Sequence, residues 1–162
     1  MLDLKRIESI LQREGDRLVL ELQAMMVSTG ANASGRTSQS LQVETTTTDS
    51  AVGMSITGGI GWAFVEQGRG ATRRDGDGAV GRAIRQWIDD KGITPDGNMT
   101  KDSLAFLITR AIHQRGTLLH LLGERREVYT NVITENSIQA ILNEIGTEIE
   151  AEISTDIVNA FK

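Results

Sequence analysis

At 162 residues, with 39% hydrophobic and 24% charged residues, the chain has the size and composition of one folded domain rather than of a disordered tail. It has no cysteine, which excludes disulfide frameworks and thiolate metal sites, and its 4% aromatic content leaves Ile, Leu, Val and Met to build the core. The net charge of −5 is uneven: residues 131–162 carry six acids against Lys162, whereas residues 69–91 carry six bases against four acids. An acidic end and a basic middle allow copies to attract one another head to tail, or are simply a solvated helix and a solvated loop. The segment Met1 to Arg6 alternates charge with apolar residues and lacks the apolar block of a signal peptide. No apolar run approaches the ~20 residues that span a bilayer, so the expected place is the cytosol or a particle assembled there.

The spacing of Leu4, Ile7, Leu11, Leu18, Leu22 and Met25 predicts an amphipathic helix from Leu4 to about Thr29. Gly15 weakens it by about 1 kcal/mol relative to Ala if that site is exposed. A small polar connection, Ser28 to Gly35, follows. Residues Leu41 to Thr48 are β-branched and alternate, Asp49-Ser50 turns the chain, and Ala51 to Thr57 returns, so a β-hairpin is expected. Trp62 to Gln67 is short and apolar, and reads either as a helical turn or as a third strand. Gly68 to Gly78 is glycine- and arginine-rich, and is expected to be exposed and mobile until bound. Helices are predicted over Ala79 to Lys91, stopped by Gly92, and over Thr100 to Arg115, capped by Thr100 or Asp102. Ile93 to Asn98 is a turn, and Gly116 to Tyr129 is irregular. The last helix, Thr134 to Ala160, is the clearest, with an isoleucine-rich stripe that includes Ile149, Ile153 and Ile157. Such a stripe usually faces a core, but at about 40 Å the helix is longer than a small domain needs, and part of it is expected to pack on a neighbouring subunit.

Several segments imitate chemistry. Gly30 to Thr37 is one residue from a phosphate-binding loop, with Arg36 in place of the lysine whose slim ammonium reaches between phosphates. A helix precedes it and a β-prone segment follows, the reverse of the order that aims helix amides at a phosphate. Gly76 to Gly81 matches a dinucleotide fingerprint but follows no buried strand. Asp75 and Asp77 resemble the start of a calcium loop, but Ala79 and Val80 stand where a ligand and the turn glycine belong. His113 and His120 have no third ligand in a metal pattern. Glu66, beside Trp62 and Phe64, is the carboxylate expected to be half-buried, where a hydrogen-bonded structural acid is the commoner case. Arg69, Arg73 and Arg74 sit beside acids and make a thin footprint for nucleic acid. The expectation is therefore a non-enzyme without catalytic residues, cofactor or metal, and without specific nucleic-acid binding.

The segment Ser34-Gly35-Arg36-Thr37-Ser38-Gln39-Ser40-Leu41, then the hairpin, then Trp62-Ala63-Phe64-Val65-Glu66-Gln67-Gly68, resembles the tail-component, or head-to-tail joining, proteins of tailed bacteriophages. Gly35, Arg36, Ser40, Leu41, Trp62, Glu66 and Gly68 carry the resemblance, over about residues 4–70. Trp62 replaces the family's usual tyrosine, and Gln67 an aromatic residue. The loop-rich stretch 69–130 is insertion-like. The resemblance implies a small antiparallel β-sheet packed by a long N-terminal helix and a C-terminal helix; with the two middle helices read from the residues, the expected fold is one α+β domain over residues 1–162, with a long C-terminal helix. It also implies a virion protein of the neck, a tail-completion ring between portal and tail. Its partners would be other neck, portal or tail proteins and further copies of itself, with incidental DNA contact in the channel and no membrane. Residues 69, 73 and 74 (all Arg) with Ile149, Ile153 and Ile157 are the expected subunit contacts. The other reading is a small cytosolic regulator or assembly chaperone that grips one partner with the Ile-rich C-terminal helix. A nucleotide-dependent enzyme would rest on the near-match at Arg36 alone.

Overall fold

The computed structural model describes residues 3–72 and 78–161. The fold is α+β, with one two-stranded antiparallel sheet and long helices near both ends of the chain. Backbone proximity divides it into two compact units: a hairpin unit of residues 1–25, 40–59 and 128–162, and a helical unit of residues 26–39 and 60–127.

The hairpin unit is organised by α1 (Leu4–Ser28). Its three- and four-residue apolar spacing puts Ile7, Ile10, Leu11, Leu18, Val19 and Leu22 on one buried side, with Leu22 wholly enclosed. Strands β1 (Gln42–Thr47) and β2 (Val52–Thr57) pair in the register Val43 with Ile56 and Thr45 with Met54. The turn between them is closed by the Thr48 N–H donating to the Ala51 carbonyl at 2.8 Å. Alternation leaves Val43, Thr45, Val52, Met54 and Ile56 half-buried on one face. That face lies on α1, where the Thr45 hydroxyl donates to Glu8 at 3.1 Å. Gly15 is correspondingly buried rather than exposed, and a Cβ there would stand 2.6 Å from both Met54 Sδ and Val43 Cγ1.

Helix α6 (Glu135–Ala160) runs antiparallel to α1, to which it is tied by Arg6 donating to Glu148 at 2.7 Å, by the Arg13–Glu144 pair, and by the Asp3 N–H on Glu152. These ties are solvent-exposed and orient more than they stabilise. The helix start is specified locally. Thr134 Oγ1 accepts from the Ser137 N–H at 3.1 Å, and Ser137 Oγ accepts from the Thr134 N–H at 2.9 Å, a reciprocal capping box. Thr134→Ala is expected to lower stability by about 1 kcal/mol, with faster amide exchange confined to the first turn of α6.

In the helical unit, Trp62 to Gln67 resolves as a helical turn: residues Ile60–Phe64 form a 3-10 helix and add no third strand. A single turn, α2 (Arg36–Gln39), precedes the hairpin. Helices α3 (Ala79–Asp90) and α4 (Lys101–Arg115) pack side by side, with Ile88 and Ala105 buried. Thr100, not Asp102, caps α4, its hydroxyl accepting from the Ser103 N–H at 3.1 Å. Gly92 ends α3 with a positive φ of 63°, as a helix-stopping glycine should. The stretch Gly116 to Tyr129, expected to be irregular, contains one further helix, α5 (Leu118–Leu122).

Candidate functional site

The residues that imitate nucleotide chemistry take structural posts. Arg36 opens α2 and grips Asp90 of α3 with two bonds, 2.6 Å from one guanidinium nitrogen and 3.4 Å from the other. No strand precedes it among the described residues, because α1 and a short turn do. Gly78 begins α3 in a left-handed conformation, and Gly81 lets α3 approach Thr109 of α4, with a Cβ position 3.8 Å from its hydroxyl. His113 is half-buried, with its carbonyl accepting from the Thr72 N–H at 2.9 Å. His120 lays its ring against Gly70, whose Cβ position would be 3.3 Å from Nε2. Glu66 is fully buried, deeper than its half-buried expectation, and its carbonyl accepts from the Arg126 N–H at 3.0 Å. Among the described residues no cluster of three or more His, Asp or Glu has the geometry to hold a metal ion.

Of the expected basic loop, Arg73 and Arg74 lie outside the described residues. Arg69 is half-buried and tied into the helical unit. Its carbonyl accepts from the Thr117 N–H at 2.8 Å and its own N–H donates to Thr117 Oγ1 at 2.9 Å. Its guanidinium donates to Thr72 Oγ1 at 3.0 Å and lies 5.8 Å from the Phe64 ring centroid, within cation–π range. Residues 68–72 therefore form a strap pinned along the end of α4 and the start of α5, not the wholly exposed loop expected for 68–78. The strap needs glycines. Gly68 and Gly116 both have positive φ, 71° and 90°, and both leave no room for a side chain.

The isoleucine stripe of α6 is only partly core. Ile141 is buried and Ile149 half-buried, but Ile138 and Leu142 near its start and Ile153 and Ile157 near its end are all about half exposed. A second apolar surface was not anticipated. On α4 and α5 the side chains of Phe106, Leu107, Leu118, Leu121 and Leu122 are each about half or more exposed. Exposed apolar area on this scale marks interaction sites in folded proteins.

Electrostatics at the α3–α4 pair are those of a structural network. Asp90 is held below the usual aspartate range first by its hydrogen bond from Arg36, and Asp89 first by that from Lys101 at 2.7 Å, then by Arg85. A depressed folded pKa gives stability that is present above the ordinary aspartate value and is lost as pH falls through the folded one. The helical unit is thus expected to keep its denaturant midpoint down to pH ~4 and to weaken below it. Asp90→Asn should make that decline shallower, as followed by tryptophan emission from Trp62 and Trp87.

Comparison of the chain with protein-family models, with curated proteins and with solved structures finds no match.

Proposed function

We propose that this protein is a structural component of a tailed bacteriophage particle, part of the neck or tail-completion ring that joins the portal-bearing head to the tail. The observation that carries the proposal is the surface. Large apolar side chains are exposed on α6 and, separately, on α4 and α5, while among the described residues Arg36, Glu66, Arg69 and His120 are built into local packing. A protein that works by being gripped between neighbours has that distribution, with large exposed apolar side chains among charges. The elements agree with the resemblance: a long first helix, a hairpin behind a small-residue–Gly–Arg turn at Gly35-Arg36, and a long last helix. On this reading Gly35 and Gly68, with φ of 85° and 71°, supply the sharp turns at either end of the hairpin region. Ile149, Ile153 and Ile157 are the subunit-contact face, and Arg69 positions the strap rather than reaching outward.

The test is composition. Particles purified through a density gradient should contain the chain at a fixed copy number relative to the portal protein, read by quantitative mass spectrometry. Its absence from purified infectious particles would contradict the proposal. A second reading is favoured by the same exposed isoleucines: a cytosolic regulator or assembly chaperone that holds one partner on α6. It predicts the chain in the lysate and not in the particle.

A further inference from the structure

We infer that the free edge of β1 is a binding site for an extended segment of another protein, which adds to the hairpin as a third strand. The sheet has two strands, so each has one side without a neighbouring strand. The turn decides which backbone groups face that side. Thr48 and Ala51 close it with a hydrogen bond, so in this register Thr46 bonds with Gly53, Glu44 with Ser55 and Gln42 with Thr57 across the hairpin. The N–H and C=O groups of Val43, Thr45 and Thr47 therefore point away from β2, and they make no hydrogen bond among the described residues. An extended backbone is what matches such a row of donors and acceptors. Folded proteins commonly guard an open edge with Lys, Pro or a bulge. Strand β1 has none of these, and its register on β2 is unbroken. Its one charged residue, Glu44, leans the other way, accepting from the Thr57 hydroxyl of β2 at 3.2 Å.

The outer edge of β2 is open in the same way, but β1 offers more to an added strand. A groove runs beside Thr45, lined by Lys5, Glu8, Ser9, Gln12 and Asp16 of α1 and by no residue of β2. Strand β1 also carries a side chain at every position, whereas Gly53 of β2 gives a neighbouring strand nothing to pack against. The groove sets the chemistry of the occupant. Its lining is polar, so the side chains that the added strand turns towards α1 are polar too. The Lys5 ammonium makes no hydrogen bond or ion pair among the described residues, and it calls for a carboxylate. A second copy of the chain fits less well. Two β1 strands paired antiparallel about a two-fold axis would bring both α1 helices onto one face of the joint sheet, beside the shared edge where the groove lies. The occupant is thus a strand of a different chain, β-branched, polar on one side and bearing an acid for Lys5. This goes beyond the neck reading and does not rest on it.

The experiment immobilises the full chain and selects binders from a displayed library of random peptides about twelve residues long. The expected result is enriched peptides that alternate β-branched with polar residues and carry an acid, and that bind the full chain in calorimetric titration. Thr47→Pro removes one outward N–H and sets a ring in the path of the added strand, without breaking a bond to β2. It should weaken these peptides at least about tenfold. Val52→Pro makes the same change at the cross-strand partner of Thr47, on the opposite edge, and should leave their affinity within about twofold. Where circular dichroism shows that a proline variant misfolds, methylation of the peptide's own backbone nitrogens, one at a time, replaces it. Methyl groups at alternate positions should then abolish binding, and those between should not. Failure to enrich any alternating peptide overturns the inference. So does binding that survives Thr47→Pro, that falls equally in Val52→Pro, or that ignores the alternation of methyl groups. A wild type that grows in mass with concentration, and loses this in Thr47→Pro, overturns it as well, because a copy then occupies the edge.

Discussion

Replacing Gly116 by alanine is expected to destabilise the helical unit by about 3 kcal/mol or more, the combined weight of backbone strain and an added atom in a filled space. Gly116 has φ 90° and ψ −179°, a region that residues with a side chain hardly enter. A Cβ there would stand 2.7 Å from the Arg69 carbonyl oxygen and 3.0 Å from the His120 ring. The carbonyl belongs to backbone and cannot rotate away, so the strap itself must lift. Lifting it breaks the Thr117–Arg69 and Thr72–His113 bonds, which leaves polar groups of the strap to find water. The readout is specific, because both tryptophans, Trp62 and Trp87, lie in the helical unit. Urea midpoints from tryptophan emission should fall sharply, and trypsin should cut after Arg69 more readily. A change within about 0.5 kcal/mol, the range of an inert surface substitution, would mean that the strap is not seated against Gly116.

Gly15→Ala should destabilise the hairpin unit by about 1–3 kcal/mol, although a helix interior ordinarily prefers alanine. The sign is set by the sheet. Met54 can swing its thioether aside, but Val43 is β-branched and stiff, so a methyl at Gly15 pushes the hairpin off α1. Gly146, mid-way along α6, is the internal control: nothing lies within 4 Å of its Cβ position. Gly146→Ala should stabilise by up to about 1 kcal/mol, as propensity alone dictates. Far-UV circular dichroism in urea checks both, and a stabilising Gly15→Ala would show that the hairpin does not rest on that helix face.

The same pair shows what the sequence could carry. Periodicity marked α1, the hairpin, α3, α4 and α6 to within a residue or two, because each repeats its apolar spacing over many positions. It could not show that Gly15 is buried, since that depends on a hairpin placed 30–40 residues later in the chain. Helix α5 escaped because five residues are too few for a period, although Thr117 before it and Gly123 after it, in a left-handed conformation, are its punctuation. The sequence already argues against a phosphate role for Arg36, by its residue type and by the reversed order of flanking elements, but only the fold shows its guanidinium taken by Asp90.

The assembly surface was half legible. The isoleucine stripe of α6 was visible as a face, but periodicity reports that a face is apolar and not whether anything covers it. Solvent exposure of Ile153 and Ile157 is a tertiary fact, as is the outward turn of Phe106 and Leu107 on α4. Of the arginines that cluster in the glycine-rich loop, Arg69 is tied into the strap, and Arg73 and Arg74 lie outside the described residues.

The proposal that this protein joins head to tail is tested most directly by deleting its gene from the phage or prophage that encodes it and imaging the lysate by electron microscopy. The account predicts filled heads separate from tails, or heads leaking DNA at an unfinished neck, with joining restored by the wild-type gene supplied in trans. Normal, infectious particles from the deletion would contradict it.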